Sequence, residues 1–590
     1  MGLGFTIDTP VKVAHYGISS VISLGDDGLI EKMRKLYCDK MGIPFQPIST
    51  KTEDYRAKRI TSYLNLIDKI VKEKFERLKN SFAAKDGELE KYMDMLPDLS
   101  HLKQKFRQIA ESHSGEKIRQ WLHDHLVAGD IDVNIMTKAD KANYANGEML
   151  PVAFNDAHAS LRGFAESTLS SSVVFSAGMN PRLYSYLEGF QAFFPDEKGQ
   201  FKKKITLKVS DYRSALIQGK FLAKKGLWVS EYRIESGLNC GGHAFATDGY
   251  LLGPVLEEFK NGREELARIM YEIFADALKK RNLACPDYPP AIRITAQGGV
   301  GTAEEHEFLM DYYELDSIGW GTPFLLVPEA TNVDPETLDL LAKAREEDLY
   351  LSNISPLGVP FNNLRRNTKD IEKEELIAKG RPGSPCPNKF LSFNTEFSEK
   401  GLCLASHQYQ KQKIKELDAA GLTPAEYKKQ YDKIVEKTCL CVGLGTSAML
   451  VNGIERKVEG DAVAICPGPN LAYFSEIATL RQMADHIYGK INLIRRTDRP
   501  NLFIKELSMY LDYFKKMVDE VSLPVTDRQL KALVAFQENL NEGIEYYKHL
   551  VSELKMKLSD TRNSFIEDLE KGRRELFSLK LPLLPATSAP

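Results

Sequence analysis

A histidine behind paired glycines is the residue of this chain best placed by its type and spacing to do chemistry. His243 closes the run GLNCGGH, which begins at Gly237 and follows the apolar segment LWVSEYRIE. Adjacent glycines such as Gly241 and Gly242 let a backbone approach a ligand closely. An imidazole beside them could take or give a proton near neutral pH. The plainer alternative is a histidine that satisfies loop carbonyls. Two further glycine turns follow. The first, AQGGVGT, stands between the segment AIRIT and a helix expected from Ala303, so the amides of Gly298, Gly299 and Val300 form a candidate anion site. The second, GWGTPF, comes one helix and one strand later and adds Gly321 and Thr322. Two such turns at that separation suit one shared phosphate at neighbouring strand ends.

The cysteines are a second concentration of reactive groups. Cys386, Cys403, Cys439, Cys441 and Cys466 all fall in the last part of the chain, and two of them precede proline, as residues beside iron–sulfur ligands do. There is no C-x₂-C pair, however, and Cys439-Leu440-Cys441 inside TCLCVGLG reads as a buried strand. The reading is therefore structural cysteine with no metal, and these five residues as cluster ligands are the alternative. Gly443-x-Gly445-x-x-Ala448 with Asp461 outlines a dinucleotide fingerprint, but Asn452-Gly453 cuts the following run short of a full βαβ unit. Asp8, Asp26 and Asp27 could line the mouth of a barrel; exposed turn carboxylates are the plainer reading.

The elements that must position these groups are legible as alternating short apolar runs and helical patterns. Strands are expected at 11–14, 18–24, 131–136, 172–176, 204–209, 227–234, 291–296, 317–319 with 324–327, and 349–354. Residues 212–225 read as a helix ended by Gly226. Alternation of this kind implies parallel βα units, and about eight strands imply a closed (β/α)8 TIM barrel. Residues 54–126, where Ile60, Leu64, Ile67, Val71 and Leu78 recur at helical spacing, read as a helical insertion. The resulting division is a barrel over 1–367, a mixed cysteine-containing extension over 368–500, and a helical segment over 501–590. In the last, Leu530, Leu533, Leu540, Ile544, Tyr547, Val551, Leu554 and Leu558 form one stripe. That stripe packs within the chain or against a second copy as a homo-oligomer.

Composition bounds the function classes. The 590 residues are 43% hydrophobic and 27% charged, which excludes wholesale disorder. The formal net charge is −3, so no electrostatic case exists for nucleic acid or an acidic membrane as partner. No apolar run of about 18 residues appears, and the N-terminal residues lack a signal-peptide pattern. Eight cysteines are too few for a disulfide scaffold. A cytoplasmic protein is expected.

The run KITLKVSDYRSALIQGKFLAKKGLWVSEYRIESGLNCGGHAF resembles the central unit of nitronate monooxygenases, formerly called 2-nitropropane dioxygenases. IRITAQGGVGT and DSIGWGTPFLLVPEAT are similar to that family's two phosphate-binding turns, and DLYLSNISPLGVPFNNLRRN to its last strand and following loop. The resemblance implies an FMN-dependent barrel with the flavin phosphate on the amides of Gly298, Gly299, Val300, Gly321 and Thr322. It places the ring near His243, Gly241 and Gly242, with Gln297 at the flavin edge and Lys208 on a strand facing it. The chain departs from the family at Cys240, where a small residue is usual, in the insertion at 54–126, in the C-terminal region, and in the missing N-terminal Pro-Met turn.

The expected function is thus an FMN-dependent oxidoreductase, a monooxygenase-like enzyme acting on a small acidic carbon compound with His243 as acid or base. The alternatives are an enoyl-thioester-type reductase fed by NAD(P)H, or a non-catalytic assembly subunit that retains the barrel.

Overall fold

The computed structural model describes residues 3–81, 87–112, 115–246, 248–521, 525–553 and 559–582. Its centre is a sheet of seven parallel strands: β1 (Ser20–Ser23), β2 (Ile131–Met136), β3 (Ser172–Ser176), β4 (Lys204–Val209), β5 (Val229–Glu235), β6 (Arg293–Gln297) and β7 (Ser317–Gly319). The strands lie side by side in chain order, as successive crossovers of one hand produce. One cavity is lined by residues from all seven, so the sheet curls around it.

The expected eight-stranded barrel is not formed. Among the described residues β1 and β7 are the sheet's edges and do not pair with each other. The stretch expected to extend the last strand is a 3₁₀ turn, Thr322–Leu326, with Pro323 near its start. A fixed φ and a missing N–H suit a turn and break a ladder. The late run at 349–354 does form a strand, β8 (Leu349–Ser352). It pairs antiparallel with β9 (Phe361–Leu364) as a separate hairpin. Residues 11–14, expected as a strand, lie in a short helix Thr9–Val13 opened by Pro10 and the 3₁₀ turn after it. The N-terminal segment instead joins the far side of the molecule. Thr9 Oγ1 donates to the Ala330 carbonyl at 2.6 Å, and the Asn332 amide to the Phe5 carbonyl at 2.9 Å.

Strand alternation splits the sheet into an apolar outer face and a mixed inner one, where polar residues stand beside Val21, Val174 and Ile318. Ile131, Val133, Val173, Phe175, Leu207, Tyr232, Ile234 and Ile294 are buried under helices. Asn134, Ser176, Lys208, Arg233, Glu235, Thr295 and Gln297 face the cavity. The helical insertion forms Tyr55–Asn80, Glu88–Asp94, His101–Ser112 and Gly115–His125. Gly163 brings the helix Asp156–Ala165 against the first of these: a Cβ there would lie 2.8 Å from the Ile60 side chain. Helices Leu502–Glu520, Asp527–Glu553 and Ser559–Ser578 pack together, and the first two also pack on the long helix Leu252–Lys280. The apolar stripe is thus covered within the chain at Leu533, Leu540, Ile544 and Tyr547; Leu554 and Leu558 lie outside the described residues.

Candidate functional site

The ends of β5, β6 and β7 are held in line by their register, Glu235 opposite Gln297 and Gln297 opposite Gly319. The three glycine turns leave the sheet from these ends. Lys208, Gly241, Gln297, Gly298, Gly299, Val300, Gly321 and Thr322 line one small pocket of about 140 Å³. It shares Lys208, Glu235, Gly241, Gln297 and Trp320 with the large cavity of about 690 Å³, which Gly242 and His243 also line. The residues singled out in the sequence therefore meet in one region.

The glycines are constrained in two different ways. Gly299 has φ +77° and a Cβ on it would sit 2.1 Å from the Asn239 amide nitrogen, so backbone and neighbour both demand glycine. At Gly321 a Cβ would meet nothing within 4 Å, so its bare face opens onto free space. Among the described residues the amides of Gly298, Gly299, Val300, Gly321 and Thr322 donate to no protein acceptor. Buried or pocket-lining N–H groups without partners are rare and suit an anionic ligand.

The helix N-terminus beyond the first turn is already used. Thr302 caps the helix Ala303–Tyr312 by accepting from the Glu305 amide at 3.2 Å, and Glu305 Oε2 accepts from the Gly301 amide at 2.9 Å. Arg499 neutralises that carboxylate with bonds of 2.8 Å from each terminal nitrogen, and also donates to the Gly299 carbonyl at 2.9 Å. Asn470 donates to the Val300 carbonyl at 2.9 Å and accepts from Arg499 Nε at 3.0 Å. Room for an anion is therefore left on the loop amides rather than on the helix end.

Lys208 Nζ and Gln297 Nε2 both lie 2.6 Å from Glu235 Oε2, forming a triangle on the cavity rim. The Cys240 thiol, pushed up by burial, sits 3.6 Å from the Gln297 carbonyl. His243 is held between the hairpin and the chain around Cys466. The Ala244 amide donates to the Pro360 carbonyl at 2.9 Å, the Asn362 amide to the Gly242 carbonyl at 2.9 Å, and the Gly242 amide to the Cys466 carbonyl at 3.1 Å. His243 Nε2 lies 2.7 Å from Ser355 Oγ. Burial, and then the Lys138 cation, lower its pKa to about 4, so the ring is neutral at physiological pH. It can hydrogen-bond or pass a proton through its neutral form, but it is a weak base.

Other sequence expectations are corrected. Asp8, Asp26 and Asp27 are buried and bonded rather than exposed: Asp8 accepts from Tyr37 and Asn332, Asp26 caps the helix Asp27–Met41, and Asp27 pairs with Arg56 and Arg59. Gly443, Gly445 and Ala448 lie inside the helix Leu440–Val451, which is buried over most of its length. A dinucleotide fingerprint needs a strand–turn–helix, so none exists there. The same helix replaces the strand expected for TCLCVGLG. Of the five late cysteines, Cys466 lines the small pocket, and Cys441 and Cys466 both line the large cavity.

Sequence reasoning missed Asn239, Glu305, Asn470 and Arg499. The Cys-Pro-Gly-Pro-Asn run at 466–470 was a visible turn signal for Asn470. Arg499 carried no local signal. Among the described residues no single helix is long and apolar enough to cross a membrane.

No family model and no curated protein matches the chain. Among solved structures it is similar to the enoyl reductase domain of MlnA from the macrolactin biosynthesis cluster of Bacillus amyloliquefaciens. That likeness covers 64% of this chain and 83% of that one at 14% identity, with a TM-score of 0.32. At that score it decides neither fold nor function.

Proposed function

We propose that this chain is an FMN-dependent oxidoreductase whose substrate enters the large cavity beside the glycine turns. The observation that carries this reading is the convergence on one pocket, continuous with that cavity, of five amides from the turns after β6 and β7 that donate to no acceptor among the described residues. FMN, when bound, would supply two-electron exchange with a substrate carbon. The amides of Gly298, Gly299, Val300, Gly321 and Thr322 would take its phosphate, and the Arg499–Glu305 pair keeps the turn free of net negative charge. Lys208 and Gln297 would meet its ring from the rim, with the Lys208 cation placed to offset charge on it. His243, neutral and held by Ser355, would orient the substrate.

The cavity favours the enoyl-thioester-type reading, with NAD(P)H as electron donor, over a small nitronate. A space of about 690 Å³ walled by Val21, Val174, Phe245, Ile318, Phe324 and Leu444 is far larger and more apolar than a small acid requires.

The purified protein, denatured and chromatographed, is expected to release FMN at about one per chain. It should oxidise NAD(P)H when given an enoyl thioester, and faster than with a nitronate. A colourless protein that takes up no added FMN would overturn the cofactor assignment. Turnover of nitronates alone would overturn the substrate class.

A further inference from the structure

We propose that Cys386, Cys403, Cys439 and Cys441 form a second site, bordering the large cavity that Cys441 lines, that binds a [2Fe–2S] cluster, with Cys386 and Cys403 on one iron and Cys439 and Cys441 on the other. The inference is independent of the flavin reading.

The four thiols come from three places in the chain and meet as two pairs. Cys386 and Cys403 pack together with Ala405 in a small cluster of their own and share a thiol–thiol hydrogen bond. Cys439 and Cys441, at the start of the helix Leu440–Val451, share another. The pairs lie within electrostatic reach of each other: Cys439 acts on both members of the first pair, and both of these act on Cys441. All four are buried.

The surroundings are built for anionic sulfur. Backbone N–H groups of Lys389, Ala405 and Val442 donate to the sulfurs of Cys386, Cys403 and Cys439, and Ser392 adds a side-chain bond to Cys386. Lys369 and Lys141 are the nearby cations, acting on Cys439 and Cys386 respectively. Disulfide sulfur is a poor acceptor and gains little from such donors, whereas thiolate ligands of a cluster gain much.

The local backbone asks for a tie that its apolar residues do not supply. Gly380, Gly383, Cys386 and Lys389 all have positive φ, and for Cys386 (φ 56°) and Lys389 (φ 54°) this is a strained state. Among the described residues, the small cluster of Cys386 and Cys403 has only Ala405 and the partly buried Leu391 as apolar partners. A metal centre commonly takes the place of such a missing core.

The pairing selects the cluster type. Among the described residues no three His, Cys, Asp or Glu side chains are grouped to hold one metal ion, which argues against a mononuclear zinc site. A [2Fe–2S] unit needs two thiolates on each of two irons, with sulfide bridges between them, and so matches two neighbouring thiol pairs. On assembly the four thiols release four protons, and two ferric irons each take two thiolates and the two bridging sulfides. The oxidised unit carries a net charge of −2; Lys141 and Lys369 offset part of it, Lys369 being itself paired with Glu372.

The test is anaerobic reconstitution of the full chain with ferric iron and sulfide, followed by desalting. About two irons and two acid-labile sulfides per chain are expected, with a one-electron EPR signal on dithionite reduction. Cys403→Ser should lower retained iron at least tenfold. Cys285→Ser, a half-buried cysteine outside the cluster, should leave it unchanged. Wild-type protein that retains no iron, retains one zinc without sulfide, or shows a Cys386–Cys403 disulfide by mass spectrometry would overturn the proposal. Flavin content, measured on the same samples, reports separately on the cofactor reading.

Discussion

The glycine turns and the cysteine cluster are assembled by opposite routes. Each turn leaves the end of a parallel strand, and hydrogen-bond register between Glu235, Gln297 and Gly319 decides where it starts. The turns then need only the conformational freedom of glycine and a near neighbour such as Asn239 to take their shape. The thiols share no sheet. Cys386 and Cys403 lie in irregular chain, while Cys439 and Cys441 open a helix that packs from elsewhere. A sheet transmits position over a long distance through many small bonds; an irregular segment needs a local tie of its own.

The sharpest way to break the first assembly is Arg499→Met. Its guanidinium and the Glu305 carboxylate are both almost wholly buried, so removing one partner strands the other charge. A loss of about 3–5 kcal/mol is expected in urea unfolding, and a change under about 1 kcal/mol would show that the turn stands without the pair. Gly299→Ala should cost about 1–3 kcal/mol, because the new Cβ meets Asn239 in a backbone state that L residues avoid. An unchanged unfolding midpoint would show that the turn relaxes freely.

Two buried groups near the turns predict opposite pH effects. Glu506 accepts from the Ser236 hydroxyl and from the Leu252 amide, and burial raises its pKa to about 7 from an ordinary 4.5. Its fold-favoured protonated form stabilises fully below pH 4.5, and that contribution is lost as pH rises through 7. Glu506→Gln should flatten the stability profile across this window; a profile as steep as wild type would remove Glu506 as its cause. His243 has its pKa lowered from 6.5 to about 4, so its contribution is present above pH 6.5 and lost as pH falls through 4. His243→Asn should flatten the acid side, and thermal melts across both windows separate the two groups.

The smallest stability effect is expected at Gly321→Ala, within about 0.5 kcal/mol, since its Cβ meets nothing. On the proposed FMN reading, retention of the cofactor should nonetheless fall, because the methyl enters the pocket. Unchanged FMN retention with this variant would move the phosphate away from that turn.

Strands at 131–136, 172–176, 204–209 and 317–319 were legible because brief β-branched runs bounded by turn residues have few other uses. The short helix at Thr9–Val13 and the 3₁₀ turn at Thr322–Leu326 were not, since Pro10 and Pro323 outweigh the apolar character around them. Candidate site residues after strands could be picked out from glycine alone. Arg499 and Asn470 could not, because a contact to Gly299 or Val300 made from such a distance along the chain leaves no periodic trace.

The amino-acid sequence by itself determined the βα alternation, the glycine turns and the helical character of the insertion and C-terminal segment. These depend on φ, on side-chain branching and on periodicity, all properties of neighbours in the chain. Tertiary structure decided that the sheet stops at seven strands and that its inner face, polar and apolar by turns, encloses a cavity. It also decided that Cys386 meets Cys403 and that Cys439 lies within electrostatic reach of both. Closure, cavities and convergence depend on which distant surfaces fit together, and no local residue preference encodes that fit.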